Sequence, residues 1–174
     1  MDSSREEFPH EQFTDVLSAN AEFALGFHDT GASGTAARGL AIVTCIDSRV
    51  HPLQITGMDT GDAKIIRNAG ARVTDDVLRT LVLATHLLGV ARVLVMPHTD
   101  CRMASGDEAS IHASIFAASG VDSRSLEIRT VDDQTAALRG DIVRIRSFPY
   151  LRDDLAVGGA IYDVHTGTLS TVSA

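Results

Sequence analysis

Cysteine is scarce: the 174-residue chain contains two. So few thiols do not make a disulfide framework; in a reducing compartment they are expected as free thiols or metal ligands. Long apolar runs are absent as well. None approaches the roughly 20 residues a membrane span needs, so no membrane partner is expected. The acidic, polar start MDSSREEFPHEQF lacks the basic-then-apolar plan of a signal peptide, and the expected location is the cytoplasm. Positive charge is short too. Fifteen Lys and Arg face 23 Asp and Glu, for a formal net charge of −8, and the basic residues are scattered. A nucleic-acid or anionic-membrane partner, which needs a basic surface, is thereby excluded. What remains is an ordinary globular composition, 44% hydrophobic and 22% charged. A single domain spanning residues 1–174 is expected, burying about two-thirds of its unfolded surface.

Both cysteines lie in short stretches rich in chemistry, Cys45-Ile46-Asp47-Ser48-Arg49 and His98-Thr99-Asp100-Cys101. Two thiolates and one imidazole form a Cys₂His set, which catalytic zinc uses with its fourth position open to water. A closed structural site would want a fourth Cys or His nearby, and neither stretch supplies one. Alone, Cys45 reads equally as a small buried thiol and His98 as a core histidine. For Asp47 and Arg49 the lesser alternative is a structural salt bridge at a turn.

The remaining pattern gives these stretches a place. An amphipathic helix is expected over about residues 10–27, with Phe13, Val16, Leu17, Ala24 and Phe27 at three- to four-residue spacing. Such a leading helix packs on a neighbour, either within its own chain or on another subunit. Leu40–Thr44 reads as a buried strand rich in β-branched residues, so Cys45, Asp47 and Arg49 fall at or beyond its C-terminal end. If the backbone stays extended there, all three side chains share one side. Pro52–Met58 is a short helix and 63–67 a second strand, followed by the turn Asn68-Ala69-Gly70. Thr74 caps a helix with Asp75 and Asp76 in its first turn and Gly89 at its end. Val93–Met96 is a third buried strand, from which His98 and Cys101 emerge. Strand–helix–strand–helix–strand order implies a parallel sheet with helices on its faces. If the first and third strands are neighbours, the donors converge at the strand ends where open α/β sheets bind ligands. Further on, Ser105 is expected to cap a helix to about Ala118, and a last helix is expected over Thr130–Arg146, weakened by Gly140. Residues 157–172 read as a closing hairpin. Asp100 reads as a capping or loop residue, and the other histidines as surface or packing residues.

Taken together, Cys45-x-Asp47-x-Arg49, Arg67-Asn68-Ala69-Gly70 and His98-x-x-Cys101 resemble the β-class carbonic anhydrases, in particular their short bacterial members. The resemblance is strong over residues 38–104, the zinc-site core. Residues 1–37 form the leading helix and linker, and residues 105–174 the C-terminal helices and hairpin. It implies an α/β fold with a central four-stranded parallel sheet, an added antiparallel edge strand and helices on both faces. It implies a homodimer or homotetramer, and zinc on Cys45, His98 and Cys101. Asp47 and Arg49 are then the paired catalytic groups, with Asp47 able to become a fourth ligand in a resting state. One departure stands out: the family commonly has Gly after the second ligand cysteine, where this chain has Arg102.

The reaction implied is reversible hydration of CO₂ to bicarbonate and a proton, with zinc turning water into a nucleophile. Asp47 would accept the nucleophile's proton in a hydrogen bond, and Arg49 would hold Asp47 by a two-pronged contact. Two alternatives share these residues. One is hydrolysis of carbonyl sulfide or carbon disulfide at the same zinc site. The other is a non-catalytic, zinc-stabilised binding or thiol-sensing module.

Overall fold

The structure is a computed structural model, described here over residues 8–173. The chain divides into two units between Ala32 and Ser33. In the first, a 3₁₀ turn at His10–Phe13 leads into α1 (Thr14–Leu25), a helix with no buried residue. The apolar periodicity is there, but in the single chain Phe13, Val16, Leu17, Phe23 and Phe27 are all exposed.

The second unit carries β1 (Leu40–Cys45), α2 (Pro52–Ile55), β2 (Ala63–Asn68), α3 (Asp75–Leu87), β3 (Arg92–Met96), α4 (Glu108–Ser119), α5 (Gln134–Arg146), β4 (Ala156–Tyr162) and β5 (Leu169–Val172). The five strands form one sheet in the order β2-β1-β3-β4-β5. The first four run parallel, and β5 pairs antiparallel with β4 as the closing hairpin. Alternation along each strand sorts side chains to two faces. Ala41, Val43, Val93, Val95 and Val157 meet Val77, Leu78 and Leu81 of α3 and Leu138, Ile142 and Ile145 of α5. On the other face Leu40, Ile42 and Met96 pack with Val50, Met58 and Ile55 of α2.

Local chemistry explains most boundaries. Thr74 Oγ1 accepts the Val77 N–H and starts α3, with Asp75 and Asp76 in its first turn. Gly159 lets α5 close onto β4, because a Cβ there would lie 2.7 Å from Ile142 Cδ1 and 2.9 Å from Leu138 Cδ1. Two helix starts differ from the sequence expectation. The cap of α4 is Asp107, whose Oδ1 accepts the Ser110 N–H at 2.8 Å; the Ser105 hydroxyl instead donates to Arg102 O. The last helix begins at Gln134 rather than Thr130, capped by Asp133. The backbone before it is committed elsewhere, since the Val131 N–H donates to Met103 O at 2.8 Å. Gly140 sits inside α5 without breaking it. The helix at Pro52 ends at Ile55 rather than Met58.

Candidate active site

β1 and β3 are direct neighbours, with Thr44 opposite Met96. The Thr44 hydroxyl donates to Met96 O at 2.7 Å, a buried tie across the pair. The chain segments carrying Cys45 and His98 therefore leave the sheet side by side. Beyond β3 the loop is fastened to the end of β4: Tyr162 N–H donates to Pro97 O, and Thr99 N–H donates to Tyr162 O. This brings Cys45, His98 and Cys101 into one buried cluster whose donor atoms all lie within 4.8 Å of one another. The two Sγ atoms are 4.0 Å apart.

The imidazole is set up for a metal. Its Nδ1 lies 2.8 Å from Thr99 O, which as an acceptor assigns the ring proton to Nδ1 and leaves a lone pair on Nε2. Among the described residues, Nε2 is the buried side-chain polar atom without a hydrogen-bond partner. A buried, unsatisfied acceptor beside two thiols is a costly arrangement unless an electrophile sits there. The donor set fits a zinc ion.

Surrounding groups hold this cluster in place. The Gly70 N–H donates to Cys45 Sγ at 3.3 Å. Gly70 has φ +79, and a Cβ there would approach Met103 Cβ to 3.0 Å, so glycine is what the turn accepts. The turn is clasped by Asn68, whose Nδ2 donates to Arg72 O (2.7 Å) and whose Oδ1 accepts Arg72 N–H (2.9 Å). Arg67 of β2 donates to the carbonyls of Cys45 and Asp47 at 2.8 and 2.7 Å. Gln134, the first residue of α5, donates Nε2–H to His98 O at 2.8 Å.

Asp47 and Arg49 stand beside the cluster, though not on an extended backbone. The chain turns at 47–50, with Val50 N–H on Asp47 O, and the Arg49 side chain folds back. Its Nε donates to Asp47 Oδ1 at 3.0 Å and its Nη2 to Oδ2 at 2.8 Å, while its main-chain N–H adds a third bond to Oδ1. The carboxylate is thus gripped at both oxygens, and Oδ2 lies 3.8 Å from His98 Nε2. The Arg49 side-chain hydrogen bonds, then its backbone N–H, hold the Asp47 carboxyl well below the usual carboxylate range. The two thiols shift each other in opposite directions. Cys45 is pulled far down, first by the hydrogen bond from Cys101, against burial, with His98 and the Asp47 and Gly70 N–H groups assisting. Cys101 is pushed up, by Cys45 first and then by burial. The His98 value is raised, chiefly by its contact with Cys45.

Arg102 lines a 350 Å³ surface cleft together with Asp100, Cys101, Ala104, Ser105 and Gln134. One Arg102 Nη2 lies 3.5 Å from Ser114 Oγ. Asp100, read from the sequence as a loop residue, is also an ion-pair partner of Arg49, at 2.8 Å. That role had no signal in the sequence. His51 is exposed, and His86 contacts Tyr150 O at the surface.

Residues 40–119 match the family described as carbonic anhydrase. Over 159 residues the chain is 31% identical to beta-carbonic anhydrase 1 of Mycobacterium tuberculosis, covering 91% of this chain and 96% of that protein. The chain belongs to the β-carbonic anhydrase family. A crystal structure of carbonic anhydrase from Streptococcus mutans superimposes with a TM-score of 0.86 at 33% identity, over 96% of this chain and 99% of that one. A carbon disulfide hydrolase from Acidianus is 30% identical over 161 residues, covering 76% of each chain. As a β-carbonic anhydrase family enzyme, the chain has Cys45, Asp47, Arg49, His98 and Cys101 all inside the matched segment. No helix among the described residues is long and apolar enough to cross a membrane.

Proposed function

We propose that this chain catalyses the reversible hydration of CO₂ to bicarbonate and a proton, with zinc held by Cys45, His98 and Cys101. The observation that carries this reading is the Asp47 carboxylate, gripped at both oxygens by Arg49 beside the donor cluster. A purely structural metal site has no use for such a group. The chemistry a zinc ion would supply on these donors is Lewis acidity, which makes water a competent nucleophile near neutral pH. Asp47, kept ionised by Arg49, accepts the proton of that nucleophile in a hydrogen bond and aims a lone pair at the CO₂ carbon. Arg49 keeps Asp47 from turning onto the cluster as a fourth donor. Cys45 and Cys101 bring negative charge to the site, so activity is expected to rise with pH.

Carbon disulfide hydrolysis is the second reading, favoured by the likeness to the Acidianus enzyme. The longer coverage by the mycobacterial carbonic anhydrase weighs towards CO₂. We further propose a homodimer or homotetramer, supported by the exposed apolar side chains of α1. The proposed setting is the cytoplasm, where thiolate ligands stay reduced.

Stopped-flow CO₂ hydration by zinc-loaded protein across a pH series, with carbon disulfide turnover measured in parallel, tests the reading. A rate far above buffer, reduced at least about 100-fold in Asp47→Asn, is the expected result. Stoichiometric zinc with no CO₂ turnover at any pH would overturn it.

A further inference from the structure

We propose that Asp100 is a positioning residue for the Asp47–Arg49 pair, holding the Nη1–Nη2 edge of the guanidinium while Asp47 holds the adjoining Nε–Nη2 edge. The inference rests on the functional reading above. A guanidinium offers five N–H donors in one rigid plane. Asp47 takes Nε and one Nη2 proton, which ties carboxylate to guanidinium but leaves the joined pair free to pivot at the end of a flexible side chain. The Arg49 side chain is 43% accessible, so water competes for it. Asp100 supplies the missing anchor. Its Oδ2 accepts from Nη1 at 2.8 Å, and its main-chain oxygen accepts from Nη2 at 3.2 Å.

The backbone is shaped for this contact. Asp100 has φ +56, a left-handed conformation uncommon outside glycine and most easily reached by Asn and Asp. On one side, the loop is tied down through Thr99, whose N–H donates to Tyr162 O and whose Oγ1 accepts the Val164 N–H at 3.1 Å. On the other side lies Cys101. Strain of this kind persists where surroundings enforce it, and here it turns carboxylate and carbonyl towards the same guanidinium. Arg49 follows β1 with Cys45, whereas Asp100 sits between His98 and Cys101 after β3. The contact therefore locks the orienting pair to the loop that holds the other two donors.

An exposed ion pair adds little stability, and the Asp100 side chain is 63% accessible. Its effect is positional. Without the Asp100 carboxylate, Arg49 stays hydrogen-bonded to Asp47, but Nη1 loses its anchor and the joined pair can shift, Asp47 with it. The Asp47 Oδ2, 3.8 Å from His98 Nε2, is then free to turn onto the donor cluster and compete with water.

Two variants preserve the backbone. Asp100→Gly accepts positive φ and deletes the carboxylate. Asp100→Asn accepts positive φ and keeps an acceptor oxygen in place. The zinc-loaded proteins are compared by the ¹⁵N relaxation of the Arg49 Nε–H group, by zinc content and melting temperature, and by CO₂ hydration. In Asp100→Gly the Arg49 Nε–H order parameter falls and kcat drops about tenfold, with zinc content and melting temperature unchanged. Asp100→Asn restores both the order parameter and most of the rate. An Arg49 Nε–H group that stays ordered in Asp100→Gly, or no rescue by Asp100→Asn, overturns the proposal. Absence of CO₂ turnover in the parent protein overturns the substrate reading instead, and the relaxation comparison still decides the role of Asp100.

Discussion

Replacing Arg72 by methionine strands a buried carboxylate. Arg72 Nε donates to Asp141 Oδ2 at 2.7 Å and Nη2 to Oδ1 at 3.3 Å. The side chains are 23% and 6% accessible, so Asp141 has almost no access to water once its partner is gone. Breaking a buried pair from one side costs about 3–5 kcal/mol. Arg72 retains some solvent contact, which places Arg72→Met near the lower end, about 3 kcal/mol. For a chain of this size that is a fall of about 6–12 °C in melting temperature. Asp141→Leu leaves the guanidinium a way out to solvent, and it should cost less than Arg72→Met. The double variant Arg72→Met/Asp141→Leu replaces the pair by apolar volume and should lie within about 1 kcal/mol of the parent. Urea unfolding of all four proteins at fixed zinc concentration closes the cycle. A double variant as unstable as the sum of the singles, or an Arg72→Met cost below about 1 kcal/mol, would refute the argument. The N–H and C=O clasped by Asn68 around Gly70 are main-chain groups of residue 72, which methionine keeps, so zinc affinity at a temperature where the variant is folded should be little changed.

Two more outcomes follow from groups around the site. Gly70→Ala forces an L-residue into φ +79 against Met103; it should cost about 1–2 kcal/mol in unfolding experiments and weaken zinc binding about tenfold in a chelator competition, because the Gly70 N–H to Cys45 Sγ bond is displaced. Asp163 accepts the N–H groups of His165 and Thr166, which hold its carboxyl below the ordinary value. A lowered folded value means the turn gains stability above the unfolded value of about 3.9 and loses it as pH falls through the folded one. Amide exchange at His165 and Thr166 should therefore stay protected at pH 5 and accelerate relative to α3 amides only in stronger acid.

Much of this architecture could be seen in the chain before folding. β1 and β3 are short runs of β-branched and aliphatic residues, and each is followed at once by residues with a metal-ligand character. The strand-end rule then places Cys45 with His98, and the register of Thr44 opposite Met96 shows why they meet. The Asn68–Gly70 turn was legible from its residue types alone. What escaped depends on interactions between distant segments. Ser105 and Asp107 are both competent caps, and the choice between them is made by where the Ser105 hydroxyl finds a carbonyl. The start of the last helix is set by Asp133, whose Oδ1 accepts the Thr135 and Ala136 N–H groups, while the Val131 N–H before it goes to Met103, far away in sequence. Asp100 was illegible for the same reason: its partner is 51 residues off, and a left-handed φ leaves no mark on an aspartate's neighbours. The helical period of α1 was visible, whereas its lack of any buried residue is a property of the folded chain.

The adjacency of β1 and β3 also bears on the order of assembly. Cys45 and Cys101 are 56 residues apart, and the intervening chain forms β2 and α3, whose apolar face covers the same strands. Parallel pairing over such a separation must overcome a loop-closure entropy before it gains any contact. The chain therefore cannot gather all three donors in a local nucleus; they meet only when β1 and β3 pair. Substitutions in α3 that slow docking onto the sheet would delay competence for metal without altering a single residue of the site.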